Sequence, residues 1–547
     1  MTVSRLMLRS WALCIFAILV LAAALRLYNV DFGLPALLDP DELVFELASY
    51  RQIANGTLNP GWFGHPATTT IYGLSLVNVL VYLWGRQTGT FESVPDFAQH
   101  IFMDPGILIL PGRVMVVALA VWTVWLVYRL ALKLFDRNTA LLAAGLVAIS
   151  PVMITWSQVI RSDVTATVFM LCAMLRSLDY LREPKVRSLL LAAIFAGAAM
   201  VTKWPFALTF VSLLAAIGMS DGVARGNWWL AFRRAAIAGL VMLASVIVIS
   251  PFLVLDFQTV AENLQGEAQK DHLGSNGFGT IGNAWFYLSG PLLSALGPLG
   301  LAAGLIGAAM RGPAREWRIV VGTVLACFVV LLSSQNMIWE RWAVPLVPML
   351  AISAAGALAW GGRRLGEQVR NQALRFAILA VLALALVAPL ATGITERYRQ
   401  RTGDPRAAAA TWAQANLPPG SSVLIEHFAF DLVQGSDFKV LFPIGTAGCL
   451  DVRELLAGQV DYRFVDSLRG GNSNLDYAAV PPELLHSCQT DYAIISEYTR
   501  YVEEADRYPA KLAAYRRLFA SSQVVRSFDA ASPIDQRARV YLLRTGE

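Results

Sequence analysis

The sequence predicts a polytopic α-helical membrane protein that ends in a small α/β domain. Three observations predict it. The 547 residues are 56% apolar and only 15% charged, with a mean hydropathy of +0.52, an apolar share above that of ordinary soluble domains. The apolar residues fall in charge-free runs such as IAGLVMLASVIVISPFLVL and FAILAVLALALVAPLATGI, each long enough to cross a bilayer core as a helix. From residue 396 onward the character changes. DPRAAAATWAQANLPPGSSVLIEHFAF reads as helix, Pro-Gly turn and strand, while DYAIISEYTRYV, SSQVVRSF and RARVYLLR have the alternation and β-branched content of strands. The expected division is a membrane module over residues 1–395 and an external α/β domain over residues 396–547. The net charge of +5 is mild and spread over loops, which gives no reason to expect a nucleic-acid partner.

The first apolar run, residues 11–29, follows Arg5 and Arg9 and lacks a small-residue cleavage site, so it reads as a retained helix. Basic residues in short loops mark the cytoplasmic side. Here they cluster at Arg129/Lys133/Arg137, Arg182/Lys185/Arg187, Arg225/Arg233/Arg234, Arg311/Arg315/Arg318 and Arg363/Arg364/Arg370/Arg375. All five stay inside only if the segment 31–110 begins and ends outside. The apolar run ATTTIYGLSLVNVLVYLW within it must then not cross singly. It is expected to be an interfacial or re-entrant helix, with a short apolar return at residues 107–110 as the alternative. About eleven crossings follow from the hydropathy rule, which puts the C-terminal domain on the external, periplasmic face of an inner (plasma) membrane. There Cys449 and Cys488 would meet an oxidising compartment, and a disulfide between them is open, because spacing does not show proximity. Cys14, Cys172 and Cys327 lie in apolar helices as small filler.

The stretch LPALLDPDELVFELASYRQIANGT gathers Asp39, Asp41, Glu42 and Glu46 directly after the first helix. Asp39 as N-cap, Pro40 at the first position and Glu42 three residues after the cap make a helix start, and Asn55-Gly56 a helix stop. Asn55-Gly56-Thr57 also matches a glycosylation acceptor, but the stop accounts for it. Leu43, Leu47 and Tyr50 would share one side, and Glu42, Glu46 and Ser49 a solvated one, as on a membrane surface. Capping then explains Asp39, while Asp41 and Glu42 exceed what capping needs.

At the external helix ends the chain also carries His65, Arg113, Arg161, Asp163, Lys203, Lys270, Asp271, His272, Glu340 and Arg341. A charge at bilayer depth costs roughly 2.5–3.5 kcal/mol on insertion scales, so such groups face a cavity and a partner. Any single Arg or Lys can instead snorkel to the water interface. Several cations on one face of an apolar bundle read better as an anion site.

Taken in order, the Asp-Glu pair opening a juxtamembrane helix, His65-Pro66 before an apolar stretch, GRVMVVALAVWTVWLVYRLALKLF, SP…WSQVIRSD, TKWPFAL and ERWAVPLVP form a pattern. It resembles the GT-C superfamily of polyprenyl-phosphate-dependent membrane glycosyltransferases. Within it the chain is most similar to the protein mannosyltransferase and aminoarabinose lipid A transferase branch, over residues 21–350. The resemblance implies a GT-C type helical module. It also implies a polyprenyl-phosphate-sugar donor and transfer of the sugar on the outer face to a hydroxyl of a glycan, lipid or protein. Carried over by position, Asp41 would be the catalytic base with Glu42 its support. Arg161 and Asp163 match the family's R-x-D position, Lys203 its TK position and Arg341 its R-[YW]-x-x-P position. His65 falls where relatives have EKP or HP, and this chain lacks the lysine of EKP. With Arg113 these residues make the expected donor-phosphate set.

The residue types suit that chemistry. The leaving group is a phosphate monoester with a second pKa near 6, so no strong general acid is needed. Cations in a water-poor site hold the developing dianion. A carboxylate takes the acceptor's proton, and attack from the opposite face inverts the anomeric centre. A helix N-terminus keeps Asp41 ionised. A divalent metal is a further possibility, with Asp41, Glu42, His65 and His272 as its candidate ligands. Two rival classes are a secondary transporter, for which internal repeats and mid-membrane helix breaks are expected, and a lipid-handling protein without transfer chemistry.

Overall fold

The computed structural model describes residues 2–268, 270–310, 315–457, 475–531 and 539–545. Arg311 of the fourth basic cluster, and the first two residues of RARVYLLR, lie outside the described residues. The chain opens with α1 (Thr2–Leu27), α2 (Pro40–Ala54), α3 (Thr68–Thr88), α4 (Val94–Met103) and α5 (Gly106–Leu134). There follow α6 (Arg137–Ala148), α7 (Pro151–Ser157), α8 (Ser162–Arg182) and α9 (Val186–Thr202). Five further helical spans, Trp204–Val223, Trp228–Ile249, Gly279–Ala309, Arg315–Ser333 and Leu346–Gln368, lead to the long helix Gln372–Thr402.

Among the described residues nine helices are long and apolar enough to cross a membrane, and α6 and α7 make one more across a 58° bend. One of the nine, α3, is long enough yet does not run through the bundle. At its start Thr68 bonds Ser250 at 2.8 Å and Thr69 bonds Thr202 at 2.5 Å, the ends of the helix Trp228–Ile249 and of α9. Its middle, at Leu74, packs on Gly112. Near its far end Val81 and Tyr82 join Phe97 and Leu108 in a small apolar cluster. The α5 residues Leu108, Gly112 and Met115 that pack on it lie in that helix's first three turns, which places both ends of α3 at the same end of the bundle. It lies across that end, as the parity of the basic loops requires. Eight long helices remain. The bent pair adds one candidate span, and two shorter apolar helices, residues 11–27 and Val186–Thr202, lie beside them.

The basic loops meet at the opposite end. Lys133 pairs with Asp179 at 2.5 Å, Arg182 with Glu316 at 2.5 Å and Arg363 with Asp136 at 3.2 Å. Between the two ends runs one large apolar core drawn from α1, α5 to α9 and the later spans.

Helix α2 corrects the sequence reading of its faces. Its cap is as expected, with the Asp39 side chain accepting from the Asp41 N–H at 3.2 Å, and its stop is Asn55-Gly56. Its polar side, however, is the inner one: Glu42, Glu46, Ser49 and Gln52 are buried, while Leu43, Leu47 and Tyr50 are only half-buried. The reason lies on α3, where Asn78 donates to Glu46 at 2.7 Å and to Ser49 at 2.9 Å, and Ser75 donates to Gln52 at 2.7 Å. Where the outside of a helix pair is apolar, polar groups are satisfied between the helices.

The C-terminal domain begins at Asp404, the cap of the helix Pro405–Asn416. Its sheet joins β1 (Ser422–Ile425), β2 (Lys439–Pro443), β3 (Cys449–Asp451), β4 (Tyr492–Ile495), β5 (Ser522–Asp529) and β6 (Arg539–Thr545) in the order β3-β2-β1-β4-β6-β5. β1 is parallel to β2 and β4, and the outer pairings are antiparallel. Alternation along β1 sends Val423 and Ile425 toward the alanine face of Pro405–Asn416, and Leu424 toward Tyr501, Leu512 and Tyr515. Only the first part of DYAIISEYTRYV is strand; Tyr498–Glu503 is helix. Cys449 and Cys488 are joined as a disulfide across 39 residues.

Candidate active site

At the end of the bundle spanned by α3, three breaks in helices bring charge together. Arg161 is an extended residue between α7 and α8. Lys203 is extended between α9 and the turn Trp204–Thr209, where Pro205 prevents the helix from simply running on. Arg341 sits in the short turn Glu340–Ala343. All three are buried. Asp163, in the first turn of α8, profits from the helix N-terminus.

Arg161 binds Asp39 through Nη2 at 2.7 Å and Asp41 through Nη1. Lys203 binds Asp163 at 2.6 Å. Arg341 has neither an ion pair nor a side-chain hydrogen bond among the described residues, and its Nε is buried without a partner. Its guanidinium lies over the Trp339 ring at 4.3 Å. Burial by itself would raise the Asp41 carboxyl, but Arg161 first, then Arg341 and His65, outweigh it and hold it well below the usual carboxylate range. Asp41 accepts through Oδ2, and no protein donor among the described residues meets its Oδ1. Arg341, engaged in no ion pair among the described residues, thus acts on Asp41 through its charge, and the Asp41 Oδ1 meets no donor among those residues.

His65 reaches Glu267 at 3.6 Å and meets Trp62 edge-on at 5.4 Å. Glu267, the last residue of the helix Phe257–Glu267, is lowered: burial opposes this, but the bond and charge of His65 outweigh it. The sequence offered no signal for Glu267, because an acid at a helix end is ordinary. It likewise assigned Asp39 to capping alone and left out its grip on Arg161.

Two residues expected in the site are elsewhere. Arg113 and Glu42 form a sealed pair, both 0% exposed. Arg113 donates to the carboxylate from Nε at 2.9 Å and Nη2 at 2.6 Å, and from Nη1 to the carbonyls of Val30 and Phe32. Glu42 also accepts the Ile160 N–H at 2.9 Å. Arg113 has no donor turned to a phosphate and Glu42 no oxygen turned to Asp41, so both leave the catalytic and phosphate sets. They are structural, tying α2 and α5 to the residue before Arg161. Helix periodicity explains the split: adjacent residues at a helix start point about 100° apart.

The metal candidates do not form a ligand set. Glu42 is committed to Arg113, Asp41 to Arg161 and His65 to Glu267, and His272 turns Nδ1 toward the Leu273 carbonyl at 3.0 Å. Among the described residues no three His, Cys, Asp or Glu side chains gather as a metal would need. Lys270 is exposed, Asp271 faces Arg507 at 3.4 Å, and Glu340 is held by Arg397 and Trp156.

The helical bundle, its polar cluster at one end and its C-terminal α/β domain have their counterparts in known folds. A family model for dolichyl-phosphate-mannose-protein mannosyltransferase matches residues 96–255. ArnT from Cupriavidus metallidurans bound to undecaprenyl phosphate is similar with a TM-score of 0.53 at 16% identity, over 98% of this chain and 99% of that one. Its apo form gives 0.51. The oligosaccharyltransferase of Archaeoglobus fulgidus tethered to an acceptor peptide gives 0.51 at 12% identity, over 93% of this chain and 72% of that one. These neighbours are GT-C glycosyltransferases, and the chain has their fold. No curated protein matches in sequence.

Proposed function

We propose that this chain is an integral membrane glycosyltransferase. It moves a hexosyl or pentosyl unit from a polyprenyl-phosphate donor to a hydroxyl of a glycan, lipid or protein, with inversion. The observation that carries this reading is Arg341, a buried cation that makes no ion pair or side-chain hydrogen bond among the described residues and whose charge acts on Asp41. Arg341, helped by Lys203 and Arg161 as they exchange carboxylates for phosphate oxygens, holds the donor phosphate. The acceptor oxygen attacks the anomeric carbon, the bond from that carbon to the phosphate oxygen breaks, and polyprenyl phosphate leaves with the electron pair. The acceptor's proton passes to Asp41 Oδ1, which stays ionised beside Arg161 and is ready to receive it. The bundle end carrying the site is assigned to the periplasmic face of the inner membrane. The basic loops at the other end and the disulfide in the adjoining domain support that side.

The test combines mass spectrometry of envelope glycans and lipids, with and without the gene, with undecaprenyl phosphate binding by the purified chain. A glycan or lipid losing one sugar mass without the gene is expected. Replacing Arg161, Lys203 or Arg341 by Ala should weaken binding roughly ten- to a hundredfold, the worth of one charge-assisted bond. Wild-type affinity in all three variants would remove the donor-site assignment.

A further inference from the structure

The segment Asp271–Gly277 touches the site on one side and the C-terminal domain on the other. On the site side Gly277 N–H donates to the Asn336 carbonyl at 2.8 Å, and Ile338 N–H to the Ser275 carbonyl at 2.9 Å. Asn276 and Met337 thus pair as a short antiparallel bridge. Two residues on, Trp339 meets His272 edge-on at 4.8 Å and carries Arg341 over its ring. On the domain side Glu504 accepts from the Gly274 N–H at 2.8 Å and from Asn276 Nδ2 at 2.6 Å. Arg500 donates to the Leu273 carbonyl while paired with Glu497 at 2.6 Å. Gly274 has φ +72°, and a Cβ there would come within 2.6 Å of Arg500, so this approach needs glycine.

We infer that Glu504 and Arg500 of the C-terminal domain are positioning residues of the donor-phosphate site, holding Asp271–Gly277 against residues 336–339 and thereby fixing Trp339 beneath Arg341. Arg341 makes no side-chain hydrogen bond or ion pair among the described residues, so the Trp339 ring below it and the backbone before it set where its guanidinium points. A cation held in place before the ligand arrives loses less conformational freedom on binding than a loose one. The inference rests on the reading of Arg341 as a phosphate ligand, and it gives the external domain a part in that site.

The experiment measures undecaprenyl phosphate binding and thermal unfolding of the full chain in nanodiscs free of polyprenols. The variants are Glu504→Ala, Glu504→Gln, Gly274→Ala, Arg341→Ala and the double variant Glu504→Ala/Arg341→Ala. Glu504→Ala should weaken binding about tenfold, the scale of a hydrogen bond to a charged group. Glu504→Gln, which keeps one acceptor oxygen, should recover part of that loss, and Gly274→Ala should reproduce it from the loop side. The double variant should bind no more weakly than Arg341→Ala alone, because both act through one contact. Wild-type binding by Glu504→Ala, or losses that add in the double variant, would overturn the inference while leaving the phosphate site standing. Wild-type binding by Arg341→Ala would instead remove the site itself. Should Glu504→Ala fail to fold, Glu504→Gln and its double with Arg341→Ala carry the same comparison.

Discussion

Asp41 and Glu42 are neighbours in sequence and opposites in setting. Glu42 spends both oxygens on the guanidinium of Arg113 and the Ile160 N–H, with no exposure on either side of the pair. Asp41 shares Arg161 with Asp39, has an oxygen that no donor meets among the described residues, and feels the charge of Arg341, a cation that makes no ion pair among them. Both regions are buried charge in an apolar protein. The first is saturated and so can only hold α2 in place; the second is left short of partners and so can bind something. Charge at membrane depth is therefore a weak sign of a site until the partners are counted.

Substitutions can break this contrast, and the largest effect belongs to the open side. Asp41→Asn should lower transfer by about 10²–10⁴-fold, the usual loss with a general base, while undecaprenyl phosphate binding and thermal unfolding stay close to wild type. Transfer at near wild-type rate would move the base elsewhere, with Asp163 the next carboxylate of the cluster. On the sealed side the loss falls on folding. Arg113→Met should cost about 3–5 kcal/mol by stranding a buried carboxylate, read as loss of folded protein in detergent. Glu42→Leu/Arg113→Met should recover most of it, and a double variant no more stable than the single would mean that Arg113 does more than answer Glu42.

Asp39→Asn probes the boundary between the two regions. Asparagine caps as well as aspartate, but it loses the charge on Arg161, so a drop of about 1 kcal/mol in binding or activity is expected for this partly exposed pair. Unchanged transfer would return Asp39 to capping alone. The smallest expectation is a change of slope with pH. Burial, with the nearby Glu42 adding to it, pushes the Glu46 carboxyl up to about 8 despite its bond from Asn78. Folding therefore keeps a proton that the unfolded chain releases near its ordinary value, and stability should fall as pH rises from that value toward about 8. Glu46→Gln should flatten that fall, and an unchanged slope would show that Glu46 is ionised in place.

Much of this was legible in the chain. Apolar runs and basic loops required that α3 not cross, although its length and composition alone would make it a span. The Asp39 cap and the Asn55-Gly56 stop followed from local chemistry, and Arg161, Lys203 and Arg341 fell at helix ends as read. What the sequence hid was pairing. Whether Arg113 faces phosphate or Glu42, and whether the polar stripe of α2 faces water or Asn78, depends on which helix lies alongside. Residues far apart in the chain decide that, and no periodicity in α2 records it.

The clamp of Glu504 on Gly274 joins residues 230 apart. Synthesis runs from the N-terminus, and domains fold as units as they emerge. The cluster of cations is complete in sequence by Arg341, whereas the residues that steady Trp339 arrive some 160 positions later. On that inference, a chain cut before Arg500 would carry every charged residue of the cluster and still lack the contacts that hold Trp339 in place.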